Sequence, residues 1–288
     1  MSRAAAGALA CVSFADARTW QILSLGILLT YGVSMLGFDQ APANIALIIA
    51  TALATQWLCS RTICGQRFDP LSPLITGFSL CLLLRASSPI VLAFSAALAI
   101  GSKFVLRFDG RHIFNPANFA IAVLLLADMA WISPAQWGSR TWAAFLFVCL
   151  ACLVLSRAKR ADIAITFLGT YIAILLARAF YLGDPLAIPL KQMQSGALLL
   201  FTFFMITDPK TTPDRRCARV LFAVLIAASA AWLQFAQFMP QALLYALFFA
   251  SPLVPLLDRV FRRDRPKVRF EWSTACSQLM ERNSWVKR

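Results

Sequence analysis

Histidine occurs once in this chain, aspartate and glutamate together thirteen times, and charged residues make up only 14% of it. Each scarcity removes a class of chemistry. No paired carboxylates, glycine-rich phosphate loop or serine elbow in a strand–turn–helix setting is present, which excludes the usual hydrolytic constellations. A lone His112 makes no soft-metal site. If the chain takes part in a reaction, the chemistry belongs to a cofactor. The low charge also leaves long uninterrupted apolar runs. Of 288 residues, 60% are hydrophobic, in stretches too continuous for the strands or amphipathic helices of a soluble domain.

In hydrocarbon every backbone amide must be satisfied within its own segment or in a closed barrel, and runs of roughly 17–20 uncharged residues form helices. The sequence therefore predicts an all-α, polytopic integral membrane protein with ten transmembrane helices, at 20–37, 42–59, 71–84, 89–106, 114–132, 141–156, 163–182, 192–207, 218–238 and 240–257. The last two come from one uncharged stretch, Val220 to Leu257, divided at Gln237, Met239 and Pro240, where a tight hairpin fits. The net charge of +14 would suit nucleic acid if it were spread over a soluble surface, but it is not. With the N-terminus inside, 23 of the 27 Lys and Arg residues fall on the cytoplasmic side, and only Arg85, Arg140, Arg178 and Lys191 lie opposite. That alternation supports span count and orientation together, and removes nucleic acid as a partner. The expected setting is a bacterial inner membrane, multi-pass, with both termini cytoplasmic.

Residues 1–19 contain a short apolar patch from Ala4 to Ser13 followed by Asp16 and Arg18, without a small-residue cleavage pattern, and read as a cytoplasmic tail. Residues 259–288 carry nine basic and three acidic residues interleaved with Phe270, Trp272 and Trp285, which suits a solvated tail or adhesion to anionic headgroups or a partner. Between them, residues 20–258 form the membrane domain. Eight cysteines lack the spacing of a disulfide scaffold; Cys149 and Cys152 share a helical face, and small apolar packing accounts for them.

Ten spans divide into halves of five, about 20–132 and 141–257. Because five is odd, equivalent helices would cross in opposite directions as a 5+5 inverted repeat. The third span of each half is short: one opens Pro73-Leu-Ile-Thr76-Gly77, the other Gln194-Ser195-Gly196-Ala197. Glycine near a helix start admits a close neighbour, and the unsatisfied first-turn amides attract anions. Short interrupted helices at matched positions point to a ligand site; helix packing at the same glycines is the alternative.

Two polar segments flank these spans. Before span five, Phe108-Asp-Gly-Arg-His-Ile-Phe-Asn115-Pro116-Ala-Asn118 places a capping asparagine and a first-turn proline. Asn118 would lie about one turn into the membrane and needs a hydrogen-bond partner, which the edge of a bound ring could supply. After span eight, Thr207-Asp208-Pro209-Lys210-Thr211-Thr212-Pro213-Asp214 stops one helix and starts the next with a capping hydroxyl; Asp208 is expected to be solvated or paired with Lys210 or Arg215, and is also a candidate ion-binding group.

Thr76-Gly77, Arg111-His-Ile-Phe-Asn-Pro-Ala-Asn118, Ser195-Gly196-Ala197 and Phe204-Met-Ile-Thr-Asp-Pro209 occur in the order and spacing of the NqrB/RnfD family. Its members are the RnfD protein of the Rnf electron-transport complex and the NqrB protein of the sodium-translocating NADH:quinone oxidoreductase. The chain resembles that family from about residue 68 to 222. The resemblance implies a membrane subunit of a flavin-dependent redox chain, carrying FMN and riboflavin, with other subunits and quinone as candidate partners. It implies cofactor-binding roles for Thr76, Gly77, Asn115, Pro116, Asn118, Ser195, Gly196, Ala197 and Asp208, and no catalytic or metal-ligating side chain. The family attaches FMN to the threonine of Ser-Gly-Ala-Thr; here Leu198 stands there, without a hydroxyl, and Lys191, Gln192, Met193 and Gln194 supply no upstream aspartate. Any flavin is then expected to be noncovalent, and the chain is similar to a divergent, UnbU-like branch. Two readings compete with the redox one: an inverted-repeat transporter with Thr76, Ser195 and Asp208 lining a path, and an assembly subunit whose glycines only pack.

Overall fold

The computed structural model describes residues 16–64, 68–132 and 161–261. Eleven helices occupy these residues: α1 (Ala17–Met35), α2 (Pro42–Cys59), α3 (Leu71–Leu83), α4 (Pro89–Val105), α5 (Pro116–Leu126), α6 (Ala161–Leu182), α7 (Ala187–Met193), α8 (Gly196–Leu200), α9 (Arg216–Phe235), α10 (Ala242–Ala250) and α11 (Val254–Val260). The α2, α6, α9 and α10–α11 segments are long and apolar enough to cross a membrane, and α3, α4, α5 and the α8 segment are shorter apolar helices. The chain is an all-α polytopic membrane protein. Nine of the ten expected spans coincide with helices; the sixth, at 141–156, lies outside the described residues, as do Cys149, Cys152 and most of both tails.

Local chemistry explains where the helices begin. α2, α4 and α5 open on Pro42, Pro89 and Pro116, whose missing N–H is an orphan at that position in any case. Ser88 Oγ accepts from Ile90 N at 3.3 Å, and Asn115 Oδ1 accepts from Asn118 N at 3.1 Å, as expected of a capping asparagine. At the end of α1, Leu36 N and Phe38 N both donate to Gly32 O, Gly37 takes φ +64°, and the Phe38 ring folds back onto Gly32. The hairpin expected near Pro240 is present between α9 and α10, with Phe238 at φ +55°.

Several expectations are corrected. Span five is helical only over Pro116–Leu126; Asp128 then turns the chain with positive φ, and Trp131–Ile132 (β4) pairs antiparallel with Leu84–Arg85 (β1), closing that end of α3. Thr76-Gly77 does not open α3, which starts at Leu71. Asp-Gly at 109–110, both at positive φ, turns β2 (Arg107–Phe108) into β3 (Arg111–His112), an unpredicted hairpin of the type this dipeptide favours. α9 lacks the expected hydroxyl cap: it starts at Arg216 on a non-capping Arg215, and the Asp214 N–H donates to Asp258 Oδ1.

Packing repeats between the halves. α2 lies along α4 and α4 along α5; α6 lies along α9 and α9 along α10. α5 and α10 then pack on each other across the join, with Phe114, Phe119 and Phe248 in mutual ring contact at 5.1–5.9 Å. α3 and α8 run in opposite directions: the start of α3 shares a cavity with the residues that follow α8, and the end of α3 shares another with the start of α8. The buried core is almost wholly Leu, Ala, Ile and Phe, including fully buried Leu25, Ile48, Leu80, Phe167 and Phe222.

The α1 terminus gives a direct test. A Cβ at position 32 would stand 2.6 Å from the Phe38 ring. Gly32→Ala is expected to destabilise the detergent-solubilised protein by about 1–3 kcal/mol, and Phe38→Leu in that background to restore part of the loss. A thermal melt in which Gly32→Ala alone is neutral would refute this packing.

Candidate functional site

Two cavities mark the ends of the opposed α3 and α8. The first, of about 80 Å³, lies among the starts of α1, α3 and α5 and the residues after α8; the second, of about 260 Å³, among the ends of α3 and α9 and the starts of α8 and α10. Of the nine residues singled out from sequence, Thr76, Asn115, Pro116 and Asp208 line the first, and Ser195 and Ala197 the second. Gly77, Asn118 and Gly196 line neither. Gly77 faces α2, where a Cβ would meet Ile49 and Ala52 in ordinary contact at 3.5–3.9 Å.

The smaller cavity is polar, with room for several waters. The hairpin positions its walls: alternation along β3 sends His112 to the cavity and Arg111 away, to Asp214 at 2.5 Å and Asp258 at 3.7 Å. Arg18 joins Asp16 at 2.7 Å and Asp69 at 2.5 Å, fixing the start of α1 to the chain entering α3. The hydroxyls of Thr76, Ser79 and Thr207 each donate back to the carbonyl four residues earlier, which leaves only oxygen lone pairs to offer the cavity.

Asp208 is not paired with the Lys210 or Arg215 side chain as expected from sequence. It accepts the Lys210 backbone N–H at 3.0 Å and faces His112 Nε2 at 3.7 Å. That separation is too long for a hydrogen bond, and His112 Nε2 is buried without a hydrogen-bond partner. Burial pushes the Asp208 carboxyl up, but His112 and the Lys210 amide outweigh it and hold the carboxyl below its ordinary range.

Asn115 and Asn118 act between helices. Asn115 Nδ2 donates to Met205 O at 3.4 Å, tying α5 to the end of the α8 segment, and Asn118 Nδ2 donates to Leu244 O at 3.2 Å in α10. Asn118 Oδ1 is buried with no partner, so half of its expected demand is met by backbone and half is open. Lys103 was not anticipated. It is buried near the end of α4 and donates to Gln56 Oε1 and Ser72 Oγ, both at 2.9 Å, and Ser72 lines the smaller cavity. A lysine inside an otherwise apolar span was the available signal.

The larger cavity has a different chemistry. Its walls are Leu83, Ile132, Leu198, Phe201 and other apolar groups, interrupted by Gln192, Gln234, Gln241, Ser195 and Tyr171. The Tyr171 hydroxyl donates to Gln234 Oε1. Among the described residues, no lysine, arginine or carboxylate lines it. Leu198 holds the position of the family's flavinylated threonine, and the nearby Thr202 is fully buried with its hydroxyl committed to Leu198 O at 2.7 Å, so neither side chain can carry an ester. These walls offer carboxamides to the polar edge of a ring and, at position 198, no side chain for covalent attachment.

Comparison with known proteins follows this geometry. The sequence model of the NQR2, RnfD, RnfE family matches residues 127–267, which include the Ser195 and Asp208 segments. The RnfD protein of the ion-translocating oxidoreductase complex of Stutzerimonas stutzeri is 35% identical over 102 residues, 31% of this chain and 28% of that protein. The corresponding proteins of Citrobacter koseri and Escherichia fergusonii are 29% and 30% identical over 151 and 152 residues, in each case 52% of this chain and 40% of the relative. The chain thus matches well under half the length of these relatives, and its similarity to the NQR2, RnfD, RnfE family is borne out.

Asp208 provides a pH test. A carboxyl held low in the fold contributes stability that is present above its ordinary pKa of about 3.9 and is lost as pH falls through its folded value. Asp208→Asn should therefore flatten the acid limb of a thermal-stability profile below about pH 4. An unchanged acid limb would mean that Asp208 is not held low.

Proposed function

We propose that the chain is the membrane subunit of an ion-translocating oxidoreductase complex of the Rnf and Nqr kind, in which a noncovalent flavin, FMN or riboflavin, links electron transfer between the two membrane faces. The observation that carries this reading is the opposed pair α3 and α8, with a cavity at each end whose walls hold the motif residues Thr76, Asn115, Pro116 and Asp208 on one side and Ser195 and Ala197 on the other. Matched interruptions of this kind in the two halves of a membrane protein create ligand sites.

The chain's own residues divide the work. Gln192, Gln234 and Gln241 would orient a ring in the larger cavity, and Tyr171 holds Gln234 in place. Bound there, a flavin supplies one- and two-electron transfer. At the other end, Asn115 keeps the start of α5 against the end of the α8 segment, while Asp208, His112 and the hydroxyl oxygens surround space for water or an ion. Asn118 Oδ1, buried and open, would accept from a donor brought close by ligand binding.

Ion pairing supports the grouping of connecting segments on one side. Segments placed on one side from sequence are joined: Arg18 with Asp69, Arg111 with Asp214 and Asp258, and Arg219 with Asp162 at 2.6 Å. In this reading residues 1–19 and 259–288 are cytoplasmic tails, 20–258 form the membrane domain in the inner membrane, and the partners are lipid, the other subunits of the complex and a quinone.

The lone-pair lining of the smaller cavity favours one second reading, a transporter of the same scaffold. A spectrum separates the two. Detergent-purified protein from flavin-supplied cells is expected to be yellow, with the colour released into the supernatant on acid precipitation. Colour kept in the pellet would contradict noncovalent binding, and a colourless preparation would sink the redox reading in favour of transport. Reporter fusions at the two termini should both report the cytoplasm; opposite signals would break the ten-span topology.

A further inference from the structure

The walls of the larger cavity specify more than a ring site. Of its polar side chains, Gln192 and Gln241 make no hydrogen bond within the described residues, and Gln234 uses only Oε1, for Tyr171. Partly buried carboxamides left open offer both donors and acceptors, and their desolvation is compensated only when a ligand returns those bonds. What is missing is equally specific. A phosphate would arrive with nearly two negative charges and find no cation among the described wall residues; Lys191, next to Gln192, is exposed and does not line the cavity. α8 is five residues long and runs directly into a π-turn, so its first turn is a poor substitute.

The surroundings of the cavity add a route. α7, which leads to Gln192, exposes Leu186, Ile188 and Leu190, and the turn that leads to Pro240 exposes Phe238 and Met239. Two wall segments are thus flanked by exposed apolar side chains in a protein whose surface is largely bathed in lipid.

We propose that the larger cavity is a site for an uncharged, carbonyl-bearing ring, reached along its apolar flanks, and that it discriminates against phosphorylated flavin. Riboflavin and a quinone head group share that chemistry. This deepens the redox reading at the same site: the position where the family esterifies FMN has become, in this chain, a neutral pocket held by three glutamines.

The test is equilibrium titration of the full detergent-purified chain with riboflavin, FMN and a short-chain benzoquinone. Riboflavin or the benzoquinone is expected to bind at least tenfold more tightly than FMN, and whichever wins identifies the source. Gln241→Leu should weaken that ligand about tenfold, the worth of one hydrogen bond. Gln192→Lys, which exchanges one of the three carboxamides for a cation at a partly exposed position, should raise FMN affinity about tenfold and weaken the uncharged ligand. Equal or tighter binding of FMN by the unaltered protein, no binding of any of the three, or indifference of binding to both substitutions would overturn the proposal. FMN preference would remove this inference while leaving the redox reading standing, whereas benzoquinone binding by a colourless protein would support the neutral pocket and remove the flavin.

Discussion

Helices α5 and α10 are joined by a hydrogen bond that lipid makes obligatory. Asn118 stands third in α5 and Leu244 third in α10, and the amide of the first reaches the backbone carbonyl of the second at 3.2 Å. Both groups are shielded from water, where an unmade bond costs roughly 1–3 kcal/mol, so the starts of two short helices from different halves must meet at this point. The Phe114–Phe119–Phe248 cluster fills the space beside it. Asn115, three residues earlier, adds the tie to Met205. With α5 fixed to both α8 and α10, the cavities at the ends of the α3–α8 pair follow as the places where interrupted backbone is sheltered by protein.

Charge is arranged by the same constraint. The ion pairs of Arg18, Arg111 and Arg219 all lie at helix starts or connecting turns, where side chains reach the edge of the apolar layer, and each crosslinks segments distant in sequence. Such pairs set register between connections more than they add to stability. His112 and Asp208 belong to this layer, and of the two only His112 is left with a buried nitrogen that has no hydrogen-bond partner.

Much of this was legible in the sequence because lipid is a strict solvent. An uncharged run of the right length has one solution, so nine helices stood where apolar runs stood, and Pro116 and Asn115 announced one start by their backbone chemistry. Helix interruption by Ser195-Gly196 was visible for the same reason. Length alone misled at residues 127–132, where hydrophobic Trp131 and Ile132 make a strand, and at Thr76-Gly77, where a glycine in mid-helix was taken for an opening. Partner choice was not legible. Whether Asp208 meets Lys210 or His112 depends on the Asp109-Gly110 turn, whose hairpin signal is local, but whose effect lies about a hundred residues away. The glutamines of the larger cavity are ordinary residues at span ends until α6, α7, α9 and α10 bring them together.

Lys103 gives the molecule an electrical polarity. Its ammonium is held by two neutral oxygens, Gln56 Oε1 and Ser72 Oγ, while the Asp69 and Asp208 carboxylates act on it electrostatically and offset part of its field. The smaller cavity sits under that field, and the larger one has no cation among its described wall residues. Charge of both signs is gathered around the Ser72 end of the scaffold, where Asp69, Asp208 and Lys210 line the cavity, while the described walls of the other cavity carry none.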